Sequence, residues 1–158
     1  MIRPFPRRWS GVVLVALLGV ALLGGCAPYS GTTAQKVQQW ARHSAFKSDN
    51  NTVVNDVIRV REAVKLGTVK QVRTICGGFA SDVGITYTTL PTPDLALTNE
   101  LNAADILFVD ASTSCSGVSS VSSQTMTSAL EKLTSGLTYL ARAQRLLQSF
   151  GVAWTVRL

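Results

Sequence analysis

"MTSALEKLTSGLTYLARAQRLL", residues 126–147, decides the fold. Met126, Leu130, Leu133, Leu137, Leu140, Gln144 and Leu147 recur at alternating spacings of four and three. That spacing lines one face of an α-helix, and a strand, with its period of two, would scatter these side chains over both faces. The stretch upstream repeats the pattern: Leu97, Leu101, Ala104, Phe108, Ala111 and Cys115 also alternate four and three. Two such seams separated by the serine-rich "STSCSGVSSVSSQ" predict antiparallel neighbours with a shallow crossing angle. Thr92-Pro93-Asp94 predicts the start of the first of these helices, with a capping threonine, proline at the first helical position and a carboxylate against the positive helix end. Ser122 or Ser123 is placed to cap the second.

Working toward the N-terminus, three weaker segments have the same period. Val37, Trp40 and Ala41 share a face, as do Val54, Val57, Ile58 and Val64, with Gly67 as a stop. Val72, Ile75, Cys76, Phe79 and Val83 form a third stripe, with Thr68 as its expected N-cap. Gly77-Gly78 inside that stripe weakens a helix by about 1 kcal/mol each relative to alanine and predicts a kink or a close helix approach. The tail "GVAWTVRL" offers Trp154 as a cap on the bundle. No internal repeat is present. Residues 34–158 are therefore expected to form one all-α domain, an up-and-down bundle of four to five helices.

The first 26 residues follow different rules. "MIRPFPRRW" is basic, and Val12 to Leu23 is an apolar run of 12 residues. A membrane span needs roughly 20 residues, so this length fits a secretory signal better. Leu23-Gly24-Gly25-Cys26 follows, and it resembles the lipobox of bacterial lipoprotein signal peptides: an aliphatic residue, two small residues, then cysteine. Gly24 departs from the more usual Ala, Ser or Thr. The resemblance implies cleavage before Cys26, acylation of its thiol, and a mature chain held on the outer face of the cytoplasmic membrane. Residues 1–25 are then a signal peptide and residues 26–33 a lipidated tether. An uncleaved anchor remains an alternative, because Trp9 to Gly25 carries no charge. Arg7-Arg8 also suggests twin-arginine export, but Ser10 and Gly11 stand where that signal carries bulky apolar residues.

Export governs how the other two cysteines are read. An even pair in an exported chain is usually a disulfide, so Cys76–Cys115 is expected. Two thiols and the single His43 do not make a metal-ligand set, and no C-x-x-C motif marks a redox pair. The bridge also constrains topology. Cys115 lies roughly 33 Å along its helix, far more than separates Cys76 from the end of its own. The connecting "GITYTTLPT" is therefore expected to run as an extended strap.

Charge excludes one class of partner. The chain carries 15 basic and 9 acidic residues, and removing Arg3, Arg7 and Arg8 leaves 12 against 9, a net of +3. That is too mild for nucleic acid, which calls for a dense basic stripe. The charge is uneven, with eight basic and three acidic groups in residues 26–75 and four against six thereafter. Two readings follow: helical layers that attract each other, or a basic face near the anchor aimed at anionic lipid or wall polymer.

No catalytic constellation is evident. His43 falls on the polar side of its helix without a partner. G-x-S-x-G, Walker, dinucleotide-glycine and H-E-x-x-H motifs are absent from the sequence. Asp94, Glu100, Asp105 and Asp110 make one helix acidic, which reads as a solvated or salt-bridged face next to the basic helix preceding Gly67; a cation site formed with another segment is the alternative, without calcium-loop spacing to support it. Asn50-Asn51-Thr52 matches a glycosylation sequon. "LPTPDLALTNELNAA", the later Cys115 and "ALEKLTSGLTYLARAQRLL" resemble segments of small, helical, disulfide-bearing lipoproteins of actinobacteria, over residues 68–148. That resemblance implies a helical fold and no particular activity. The expectation is a lipid-anchored envelope protein acting as an interaction or structural module, without cofactor or metal, whose partners are the membrane and an envelope protein or anionic surface. The second expectation is a solute-binding protein holding a small ligand between its helices. An enzyme would require a second histidine or a buried acid pair assembled by the fold.

Overall fold

The computed structural model describes residues 29–156. The lipobox residues Leu23, Gly24, Gly25 and Cys26 and the signal segment 1–25 lie outside the described residues. Five helices make up the described chain: α1 (Thr33–His43), α2 (Phe46–Lys65), α3 (Val69–Thr86), α4 (Leu95–Ser116) and α5 (Gln124–Ser149). Helices α2 to α5 pack in chain order, α2 on α3, α3 on α4, and α4 along nearly its whole length on α5. The short connections at 66–68 and 117–123 force antiparallel neighbours, as expected of an up-and-down bundle.

The two strongest seams are where the spacing placed them. Leu97, Leu101, Ala104, Phe108, Ala111 and Cys115 of α4 are all buried, as are Met126, Leu133, Leu137, Leu140 and Leu147 of α5. Leu130 and Gln144 of the expected α5 seam are only half-buried. Their share of the contact is taken by Ala129, Gly136 and Ala143, which are buried and spaced by seven. Small side chains on this line let α4 approach closely, and the Phe108 ring lies directly over Gly136. A Cβ at 136 would stand 2.8 Å from Cδ1 and 2.9 Å from Cζ of that ring. The ring is itself held by Phe79, centroid to centroid 5.8 Å.

The close helix approach therefore occurs at Gly136 and not at Gly77-Gly78. Both of those glycines are exposed on an unbroken α3, with nothing within 4 Å of where a Cβ would stand. The two kinds of glycine should respond to alanine with opposite signs. Gly136→Ala should destabilise by about 1–3 kcal/mol, because the buried ring has nowhere to move. Gly77→Ala and Gly78→Ala should each stabilise by about 0.5–1 kcal/mol through reduced backbone entropy of the unfolded chain. Urea unfolding of the three variants measures both effects.

The helix ends differ from expectation in detail. Asp94, not Thr92, is the N-cap of α4, its Oδ1 accepting from the Leu97 amide at 2.8 Å, so Pro93 precedes the helix. The Ser123 hydroxyl caps α5 by accepting from Met126 N at 3.2 Å. Thr68 occupies the N-cap position of α3 without a side-chain capping bond. Gly67, at φ 73°, ends the α2 turn as expected, because a side chain there would be strained.

Cys76 and Cys115 form a disulfide with Cα atoms 5.9 Å apart. The expected extended strap is not found. Helix α3 continues to Thr86, one 3-10 turn covers Tyr87–Thr89, and only Leu90–Asp94 is irregular. From Cys76, helix and turn climb roughly 21 Å, against roughly 30 Å from Leu95 to Cys115. The five irregular residues make up the difference, because threonine hydroxyls at 86, 88 and 89 bond back to carbonyls three residues earlier and hold the turn.

Helix α1 and the C-terminal tail close the end of the bundle where α2 starts, α3 and α5 finish, and α4 begins. Trp40 stacks on Phe46 at 4.6 Å, and Phe46 meets Trp154 at 5.1 Å. Trp40 Nε1 donates to the Thr89 carbonyl at 2.9 Å, and Trp154 Nε1 to Asn51 Oδ1 at 3.1 Å. Burying both indoles with their N–H groups satisfied explains why this end is sealed. Trp154 thus caps the bundle as its sequence position suggested.

Candidate functional site

Polar chemistry in the described chain concentrates in two buried carboxyls. The first is Asp56 on α2, which is 3% exposed. The spacing 49, 52, 56 puts Asp49, Thr52 and Asp56 on one face of α2, and α3 brings Asp82 against it. Arg59, one turn on, donates to Asp56 Oδ1 at 2.8 Å, while Oδ2 is buried without a partner. Burial raises the Asp56 carboxyl well above the usual aspartate range, and the facing Asp82 carboxyl raises it further, against the pull of Arg59. The facing carboxyl therefore adds to the cost of ionising Asp56 that burial already imposes.

An enzyme is expected to need a buried acid pair, and here only one member is buried: Asp56 is enclosed, while Asp82 is half-exposed. Spacing on either helix alone does not predict their contact, because the pairing depends on the register of α2 against α3. The surroundings do not extend it into a catalytic site. The depression beside it, lined by Asp49, Thr52, Asp82 and Ile85, measures about 80 Å³. That volume suits a few waters, well short of the several hundred Å³ of ordinary ligand pockets. Among the described residues no cluster of three or more His, Cys, Asp or Glu is arranged to hold a metal ion.

The second is Asp105 on α4, also 3% exposed. Its Oδ1 lies 2.8 Å from the Thr86 hydroxyl, the one charge-favouring contact it has, and that hydroxyl shares its single proton with the Val83 carbonyl at 2.7 Å. Burial pushes this carboxyl up to about 7 against that bond. Tyr87, in the adjoining turn, is raised by its own burial and then by the nearby Asp105 and Asp110.

The acidic residues of α4 thus do not form the single face expected to pair with α2. Helix α4 packs between α3 and α5, so α2 is not its neighbour. Asp94 caps the helix, Asp105 is buried, and Asp110 meets Lys132 of α5 at 3.5 Å. Glu100 Oε2 is buried without a partner. His43 is exposed at the end of α1, as read from its position. Asn50 of the sequon is buried, its amide bonded to the Phe46 carbonyl at 3.0 Å, so it is closed to glycosylation in the folded chain.

The larger depressions are open surface grooves. One of about 400 Å³ lies between α2 and α3, lined by Arg59, Glu62, Ala63, Leu66, Gln71, Thr74 and Ile75. Another, of about 390 Å³, lies where the tail crosses α2 at Asn51, Val54, Asn55, Trp154 and Thr155. The space between the helices is occupied by the core side chains themselves. No helix among the described residues is long and apolar enough to cross a membrane. The chain matches no family model, no curated protein sequence and no solved structure.

Proposed function

We propose that this protein is a lipid-anchored module of the bacterial envelope, acylated at Cys26 and exposed on the outer face of the cytoplasmic membrane. Its role there is to present a rigid helical surface to another envelope component, not to carry out catalysis. The observation that carries the reading is Leu23-Gly24-Gly25-Cys26 directly after a basic and then an apolar segment. The Cys76–Cys115 bridge supports it, since such bonds persist in oxidising compartments. A core filled by Phe79, Phe108 and the α4–α5 leucines favours an interaction module over a binder that encloses a solute. The solute-binding alternative would have to use the open α2–α3 groove at Arg59 and Glu62.

Intact mass of protein extracted from the membrane fraction tests this. The expected species is residues 26–158 plus two or three acyl chains, with two thiols appearing only after reduction. An unacylated chain of 158 residues would overturn the anchor.

A further inference from the structure

The region read as a tether is largely immobilised by the bundle. Tyr29 packs on the core, and the Ser30 backbone exchanges bonds with the Gln39 amide at 3.3 and 3.4 Å. Thr32 and Gln35 then form a complete capping box at the start of α1. Tyr29 stands only three positions after Cys26, at most about 11 Å of extended chain. A lipid on Cys26 would therefore hold the start of α1 close to the bilayer. Helix α1 itself is only about 16 Å long.

The orientation of α1 and its charges fit such a surface. Its apolar face, Val37, Trp40 and Ala41, is buried across the bundle end. Trp40 is tied to Thr89 on one side, and Gln38 Nε2 donates to the Phe150 carbonyl at 2.7 Å on the other. Outside that face α1 carries Lys36, half-buried at its edge, and the exposed Arg42 and His43, and it contains no acidic residue. Lys47 follows in the first turn of α2. The acidic groups toward this end all lie off α1: Asp49, half-buried on α2, Asp82 beside it on α3, Glu100 with a buried Oε2, and Asp94, engaged as the α4 cap. Leu95, at 75% exposed the most exposed large apolar residue described, starts α4 at the same end. A leash of about 11 Å is comparable to the Debye length of about 8 Å at physiological salt, so these charges would feel an anionic surface without much screening.

We infer that α1 lies flat on the bilayer, with Lys36, Arg42 and His43 against anionic lipid headgroups and the α2–α3 turn at Leu66 pointing away from the membrane. The inference rests on acylation at Cys26. Each basic group near an anionic leaflet biases the orientation by about fivefold.

Amine footprinting of the acylated protein, read by mass spectrometry, provides the test. Vesicles of phosphatidylcholine alone are compared with vesicles containing an equal part of phosphatidylglycerol. Lys36 should become several-fold less reactive in the anionic vesicles and recover in high salt. Lys65 and Lys70, at the far end, should react alike in both. An Arg42→Glu, His43→Glu double variant, which keeps the Lys36 amine and has its helicity checked by circular dichroism, should lose the difference. Equal Lys36 reactivity in both vesicles, or protection of Lys65 and Lys70 instead, would overturn the orientation. Intact mass on the same sample separates the two failures: an acylated protein with an unprotected Lys36 refutes the orientation alone, and an unacylated one refutes the anchor as well.

Discussion

Replacing Cys76 and Cys115 together by alanine should cost about 4 kcal/mol of unfolding free energy. The bridge closes a loop with a sequence separation of 39, and the chain-entropy relation gives about 4 kcal/mol for a loop of that size. For a domain of this length the loss corresponds to a fall in Tm of roughly 15 °C. The placement explains why the native state tolerates the bond. Helices α3 and α4 are joined by their turn at one end, and the bridge ties Cys115, near the end of α4, back to α3 toward the other. Arg73 reinforces that second clamp by donating to the Val118 carbonyl at 2.6 Å. Both sulfurs are fully buried, so a reductant should act only on molecules that have opened. Thermal unfolding of the double variant beside the oxidised protein measures the effect. A fall of only one or two degrees would mean that α3 and α4 remain associated in the unfolded ensemble without the bond.

Stability should decline as the medium is made more alkaline between pH 4 and pH 8, the reverse of the usual trend for carboxylates that gain a partner on folding. In the unfolded chain Asp105 titrates near 3.8, and in the fold at about 7. Between those values the native state keeps a proton that the unfolded chain has released, so each rise in pH favours unfolding. The stabilisation is complete below the lower value and is gone above the upper one. Its full size is on the order of 4 kcal/mol. Asp56 acts in the same direction, because its carboxyl is also raised. Asp105→Asn keeps an acceptor for the Thr86 hydroxyl and cannot ionise. The variant should be more stable than the parent at pH 8 by on the order of 2–3 kcal/mol, and should show a flatter pH profile. Urea unfolding of both proteins at pH 5 and pH 8 decides the matter. A parent whose stability is level or rising across that range would show that Asp105 is ionised and solvated in the native state.

The sequence by itself determined the helical class, both seams of the α4–α5 pair and the burial of Trp40, Phe79 and Phe108. A helix shows its buried face as a local period, and these faces are made of large apolar side chains that the period makes visible. The two cysteines were legible as a pair because, once Cys26 is read as the lipidation site, Cys76 and Cys115 admit a single pairing. Tertiary structure alone decided the features that depend on two helices at once. Gly136 is one among 12 glycines in the chain, and only the position of the Phe108 ring marks it as the site of close approach. Asp56 and Asp82 lie on different helices, and their contact follows from the register of α2 on α3, which no single-helix pattern encodes. Asp105 looked like one more charge on an acidic helix, and became a buried acid because α4 is enclosed by α3 and α5. The irregular link from α3 to α4 proved shorter than the disulfide arithmetic implied, because threonine hydroxyls bonded to nearby carbonyls extended the helical turns. Burial and register are sums over many contacts between distant segments, so they emerge only when the chain has packed.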